Sequence, residues 1–155
     1  PMRPAHAIAG TLLAVFTLGF VGCGGPLDQD DPRKVVIAMF GAMEKNDKAS
    51  LAHLLDLVEL MKAGDEDYSL GGGEPRGWTR PGQVLDDLTG EGLTKKRWFS
   101  YQRIVNNAEI LGETATVEVT FVDKDASKGY RTKFGVRVVN DKWKVFSFKQ
   151  IQSER

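Results

Sequence analysis

Cysteine is almost absent from this chain, with Cys23 the single example in 155 residues. One thiol cannot close an internal bridge, so the fold must be held by its apolar core rather than by a staple. Histidine is nearly as scarce: His6 lies near the start and His53 further on. That leaves no Ser-His-Asp set, no Cys-His pair and no group with metal-ligand spacing, and neither a metal nor a cofactor is expected. No sign of charge predominates, as 21 Lys and Arg balance 21 Asp and Glu. Without a long basic run, nucleic acid is not an expected partner. The longest apolar stretch, Ala7 to Val21, holds 15 residues, short of the roughly 20 that a membrane-spanning helix needs. There is no internal repeat.

What is present divides the chain at its cysteine. Arg3 and His6 precede the apolar run, and small residues close it, which is the anatomy of a secretory signal. Met2 is the expected start of that signal. The stretch Phe20-Val21-Gly22-Cys23 resembles the lipobox of bacterial lipoproteins, although Phe20 stands where Leu is commoner. The resemblance implies cleavage before Cys23, acyl chains on its thiol and attachment to a membrane through them. It also implies outer-membrane delivery where two membranes exist, because Gly24 rather than Asp follows. An uncleaved anchor and a plain secretory signal are the alternatives. The expected division is a signal peptide over 1–22, a lipidated tether over 23–31 and one domain over 32–152.

Charge is unevenly spread over that remainder. Gly24 to Gly92 carries 14 acids against 7 bases, and Leu93 to Arg155 carries 7 acids against 13 bases. An acidic helical layer beside a basic sheet face is the expected reason, an anionic partner for the basic half being the alternative. Asp31-Pro32 opens a first helix, with Asp31 as cap and Pro32 in a turn that does not need its N–H. Val36, Met39, Phe40 and Met43 follow at helical spacing. Asn46-Asp47 ends it. A second helix is expected from Lys48 to Met61, burying Leu51, Leu54, Leu55, Val58 and Met61. Ala63 to Pro81 reads as a loop with Gly71-Gly72-Gly73. A short helix from Pro81 to about Thr89 uses Val84, Leu85 and Leu88.

The second half alternates with period two. Trp98 to Leu111 reads as one strand, or two with a break at Asn106-Asn107. In Thr114 to Val122, Ala115, Val117, Val119 and Phe121 share a face. Tyr130, Thr132, Phe134, Val136 and Val138 form the next inner face, with Arg131, Lys133 and Arg137 outside, where Glu118 can pair with one of them. Asn140-Asp141 is a hairpin turn. In the closing strand, Lys142 to Ile151, Trp143 and Val145 lie on one face and Phe146 and Phe148 on the other, which predicts a bulge or burial on both sides. The fold class is α+β: N-terminal helices packed on a curved antiparallel sheet of about four strands.

This order of elements, with the Asp141-Lys142-Trp143-Lys144-Val145 closure, resembles the nuclear transport factor 2-like, cystatin-like cone, and more narrowly small bacterial lipoproteins that carry it. The resemblance implies a hollow cone able to hold a small apolar ligand, and dimers formed through the sheet. Some members of that family are isomerases or dehydratases with an acid-base group inside the cone, while others only bind or assemble, so the fold does not choose among them. His53 and Asp56, three apart on one helix, are the acid-base pair on offer. Trp78, between Arg76 and Arg80, either covers a ligand or plugs the cone, and Tyr101 and Tyr130 are the further candidates to line a pocket. Asp65-Glu66-Asp67 lacks calcium-loop spacing. Three functions follow: a lipid-anchored, non-catalytic domain that binds a small molecule or an envelope protein; an isomerase- or hydratase-like enzyme using His53 and Asp56; and a dimerisation module using a sheet face with Phe146 and Phe148.

Overall fold

A computed structural model describes residues 27–63, 78–148 and 152–153. Cys23 with its leader, and the loop holding Arg76 and the three glycines, lie outside the described residues. Helices come first: α1 (Pro32–Glu44), α2 (Lys48–Leu54), α3 (Leu57–Ala63), α4 (Pro81–Asp87) and α5 (Leu93–Phe99). The strands β1 (Gln102–Leu111), β2 (Thr114–Asp123), β3 (Lys128–Val139), β4 (Lys142–Phe148) and β5 (Gln152–Ser153) follow. They form one antiparallel sheet in the order β1-β2-β3-β4, and β5 pairs with β3 beyond the end of β4. The α+β expectation holds, with a curved sheet.

Local chemistry sets the first turns as expected. The Asp31 carboxylate accepts from the backbone N–H of Arg33 at 2.8 Å, and Pro32 sits in the first turn of α1. The helix ends in a left-handed Asn46 (φ 55), with the Asp47 N–H bonded back to Ala42 O at 2.8 Å, the pattern of a Schellman stop. Asp47 then caps α2 through Ser50 N and Oγ. Asn140 and Asp141 both take positive φ in the β3–β4 hairpin, as a two-residue turn requires.

Three expectations are corrected. The single helix over Lys48–Met61 is two. Leu55 is extended, bridges Val145 of β4 in parallel, and is followed by Asp56, whose N–H bonds Val145 O at 2.8 Å. Asp56 then restarts the helix by capping Glu59 N. The phase change places Leu60 in the core and leaves Val58 54% exposed. Second, Trp98 is not a strand residue but closes α5, where Thr94 and Trp98, four apart, are both buried; the aromatic run Trp-Phe-Ser-Tyr favours a strand by propensity alone, and packing overrides it. Third, Phe148 is core, 2% exposed, so it is not part of an outer sheet face. The bulge expected in β4 is the reason: register slips between Gly135 and Val136, leaving Phe146 as the extra residue, so Val145 and Phe148 both turn inward. A second bulge, at Asn106-Asn107, keeps β1 a single strand.

The core lies between the helices and the concave sheet face. Val36, Met39, Met43, Leu51 and Leu54 meet Val117, Val119, Phe121, Phe134 and Val136, all fully buried. Leu27 to Asp31, read from sequence as the end of a tether, runs against this body. Gln29 is 5% exposed; its amide donates to His53 O (3.1 Å) and Trp143 O (3.0 Å), and its carbonyl accepts from Trp143 N (3.0 Å).

Candidate functional site

The interior of the cone is a row of rings. Phe40, Trp98, Phe121, Phe134 and Phe148 meet mostly edge to face at centroid distances from 5.2 to 6.2 Å, the arrangement that the ring quadrupole favours. Trp98 stands at the centre because α5 tips it into the cone. Two of the predicted site residues extend the row at one end: Tyr101, half-buried, meets Phe121 (6.2 Å) and Tyr130 (5.6 Å). Trp78 extends it at the other, edge-on to Phe148 at 6.4 Å. So Tyr101 and Tyr130 are brought together, and Trp78 is separated from them by the filled interior.

Trp78 is only 9% exposed. It packs on the core with one side and forms the wall of an open cleft of about 410 Å³ with the other. Gln83, Asp86, Asp87, Glu91, Gly92 and Leu93 complete the cleft. Each is placed by α4, α5 and the turn between them. Gln83 reaches back to accept from Thr79 N (2.7 Å) and Arg80 N (3.1 Å), which fixes the start of α4 beside Trp78. Arg80 itself is exposed there. Asp87 is buried and accepts from Thr94 Oγ1 at 2.7 Å and from Thr94 N at 3.3 Å, tying α4 to α5. Gly92 has no room for a side chain: a Cβ there would lie 2.2 Å from Asp87 O. The rim is acidic, and its acids hold lysines, Asp86 with Lys48 at 2.6 Å and Glu91 with Lys96. The hydrogen bond from Lys96 holds the Glu91 carboxyl below the usual carboxylate range.

His53 and Asp56 do not form a pair. The break at Leu55 removes the shared helical face; His53 is exposed, and its carbonyl is held by Gln29. Asp56 is committed elsewhere. Its Oδ2 accepts from Arg137 Nε (3.0 Å) and Nη2 (2.6 Å), and its Oδ1 caps α3 through Glu59 N (3.2 Å). Arg137 also lies 5.6 Å from the ring of Phe146, which covers Gly135. The cluster joins the helical layer to the outer sheet face and leaves neither carboxylate oxygen unengaged.

Sequence reasoning passed over Arg103. Its guanidinium lies 3.8 Å over the Phe99 ring and 5.7 Å from Phe40, and it donates to Trp98 O and Tyr101 O, both at 2.9 Å. Burial lowers its pKa, opposed by Glu44. It holds the carbonyl end of α5, and with it Trp98 and Tyr101, in place. A cation of inward strand parity among aromatics was the available signal.

No protein-family model matches this chain, and no curated protein sequence does. Its structural neighbours include nuclear transport factor 2-like proteins at low identity. One, of unknown function, from Silicibacter pomeroyi, is 14% identical over 77% of this chain and 90% of its own, with a TM-score of 0.48. Another, from Burkholderia thailandensis, is 12% identical over 80% and 91%, at 0.43. A DUF4783 family protein from Bacteroides ovatus is 11% identical over 82% and 96%, at 0.44.

Proposed function

We propose that this chain is a lipid-anchored, extracytoplasmic domain that binds rather than catalyses, with the cleft under Trp78 as its small-molecule site. The observation that carries the binding half is the split role of Trp78, core on one face and cleft wall on the other, beside an apolar Leu93 and an acidic rim. An aromatic wall with polar edges suits a small ligand with an apolar body and a polar end. Binding is favoured over acid-base chemistry by His53 and Asp56 because Asp56 is bound on both oxygens and His53 faces solvent, so the two do not meet as a pair in a pocket. A ligand enclosed within the cone is disfavoured by the rings that fill it. Arg80 is exposed at the start of α4 and does not line the cleft; neither do Tyr101 and Tyr130, and Arg76 lies outside the described residues.

The anchoring half rests on the lipobox-like Phe20-Val21-Gly22-Cys23. Acyl chains on Cys23 hold the chain firmly, each buried methylene contributing about 0.8 kcal/mol. Native mass spectrometry of membrane-extracted protein tests both halves. The expected result is a mature chain starting at Cys23 with acyl mass, absent from Cys23→Ala, and a retained small molecule lost from Trp78→Ala. An unmodified mass removes the anchor; retention unchanged by Trp78→Ala removes the cleft.

A further inference from the structure

One end of the sheet carries both the most exposed apolar side chains and the point where the chain enters the domain. Among the described residues, Leu111 is 83% exposed and Ile110 59%, the two highest values for large hydrophobic residues. They are adjacent, at the β1–β2 hairpin. Ile110 lies opposite the buried Ala115, on the core side of the sheet, yet it is bare because the helical layer stops short of it. Arg33, in the first turn of α1, reaches Val105 O and Asn106 O, and Phe40 further along lies near Arg103. So α1 begins beside the middle of β1 and runs away from the hairpin. The other exposed hydrophobics, Ile37, Val58, Leu93 and Ile104, are scattered singly over α1, α3, α5 and β1, which needs no explanation.

The entry point is at the same end. Across the sheet, Leu111 faces Thr114, Thr114 faces Arg137, and the neighbouring Val138 faces Trp143. Trp143 N bonds Gln29 O, and Val138 N bonds Glu113 O, drawing the two hairpins together. At about 4.8 Å per strand, Gln29 and Leu111 are separated by about 20 Å. Gln29 is clamped, so the chain before it starts from a fixed place. Cys23 is six residues earlier, and a fully extended chain covers at most ~3.5 Å per residue. The thiol therefore sits within about 20 Å of Gln29, a reach smaller than the diameter of a domain of this size.

We infer that the β1–β2 hairpin tip, with Ile110 and Leu111 buried in the lipid interface, is a second membrane contact that holds the domain upright on its anchor. The inference rests on the lipid-anchor reading. The occupant is a lipid surface rather than a protein because so short a lead from a fixed entry point keeps this end of the sheet, of the two, next to the bilayer. The contact is apolar and not electrostatic. This end of the sheet carries charges of both signs, Glu109, Glu113 and Asp141 with Lys142 and Lys144, and Asp28, Asp30 and Asp31 line the entry with Lys34. Anionic lipid is not needed, and the cleft at Trp78 is left open to solvent.

The test uses the full acylated chain in vesicles of phosphatidylethanolamine and phosphatidylcholine. Leu111→Cys carries an environment-sensitive fluorophore, the acylated Cys23 being blocked. Asp125→Cys, in the β2–β3 turn at the opposite end of the sheet, carries the same label. The label at 111 should shift to the blue and lose most of its emission to lipid-borne nitroxide quenchers, while that at 125 does neither, and adding phosphatidylglycerol should change nothing. Equal behaviour of the two labels on a chain whose mass shows the acyl groups overturns the tip contact alone. A chain without acyl mass overturns it together with the anchor. An Ile110→Ser, Leu111→Ser chain checks that the label does not drive insertion: when it is labelled instead at Gly112→Cys, quenching should fall, and undiminished quenching counts against the two side chains.

Discussion

At the scale of single residues, the most informative side chain is one that sequence reasoning assigned to chemistry. Asp56 is 12% exposed in its side chain, holds Arg137 through Oδ2 and caps α3 through Oδ1. Removing it deletes a cap, worth about 1 kcal/mol, and strips a half-buried guanidinium of its main partner, although Glu59 at 3.7 Å can take part of that load. Asp56→Ala should therefore lower unfolding free energy by about 2–3 kcal/mol in urea titration. Asp56→Asn keeps an acceptor for Glu59 N and should lose about half as much; equal losses would mean that the cap contributes nothing. Asp47 offers a test by pH. Its hydrogen bonds from Ser50 hold its pKa below the ordinary 3.8. A depressed folded pKa adds stability that is complete above the unfolded value and is lost as pH falls through the folded one. An Asn still caps but does not titrate. Asp47→Asn should thus flatten the fall of stability below about pH 4 and leave stability at neutral pH little changed, read from urea midpoints across the acid range.

Between residues and the whole lie the elements, and here the two edges of the sheet are treated differently. The β4 edge is covered by Leu55-Asp56 and by Gln29. The β1 edge is blunted by its bulge and by Arg33, which donates to Val105 O (3.0 Å) and Asn106 O (3.2 Å) from α1. Unpaired edges template association, and bulges and charges prevent it. Arg33→Ala should cost at most about 1 kcal/mol, because the bonds are exposed, but should make the protein self-associate with rising concentration in sedimentation velocity. A monomer at all concentrations would show that the bulge alone suffices. The elements also show what could be read in advance. Caps, turns and period-two faces are local, so α1, α4, β2, β3 and the Asn140-Asp141 hairpin turn follow from the sequence. Leu55 could not be read, because it leaves the helix to meet a strand ninety residues later. Trp98 misled because its neighbours favour a strand while Thr94 and Arg103 hold it in a helix. Of the site, Trp78 was legible as an aromatic among polar loop residues. Its cleft was not, because Asp87, Gly92 and Leu93 converge only through the α4–α5 turn.

For the molecule as a whole, the question is whether the entry strap belongs to the cooperative unit. Leu27 packs on the core, and Gln29 makes three hydrogen bonds that link α2, β4 and the start of α1. Its amide satisfies two carbonyls, His53 O and Trp143 O, that have no strand beside them at this edge. In Gln29→Ala those acceptors lose their donors in a nearly buried place, which should cost about 2 kcal/mol. The manner of the loss decides the point. If the strap is part of the core, global unfolding free energy falls by that amount with the urea slope unchanged. If it is a separate, weaker unit, the amide of Trp143 exchanges faster while the slowest core amides of β2 and β3 keep their rates. The close tie of Gln29 to Trp143, beside the fully buried Val145, predicts the first outcome. On the lipid-anchored reading proposed above, a strap that melts alone would lengthen the effective lead from Cys23, and the domain would then be free to tumble instead of keeping one end of its sheet toward the lipid.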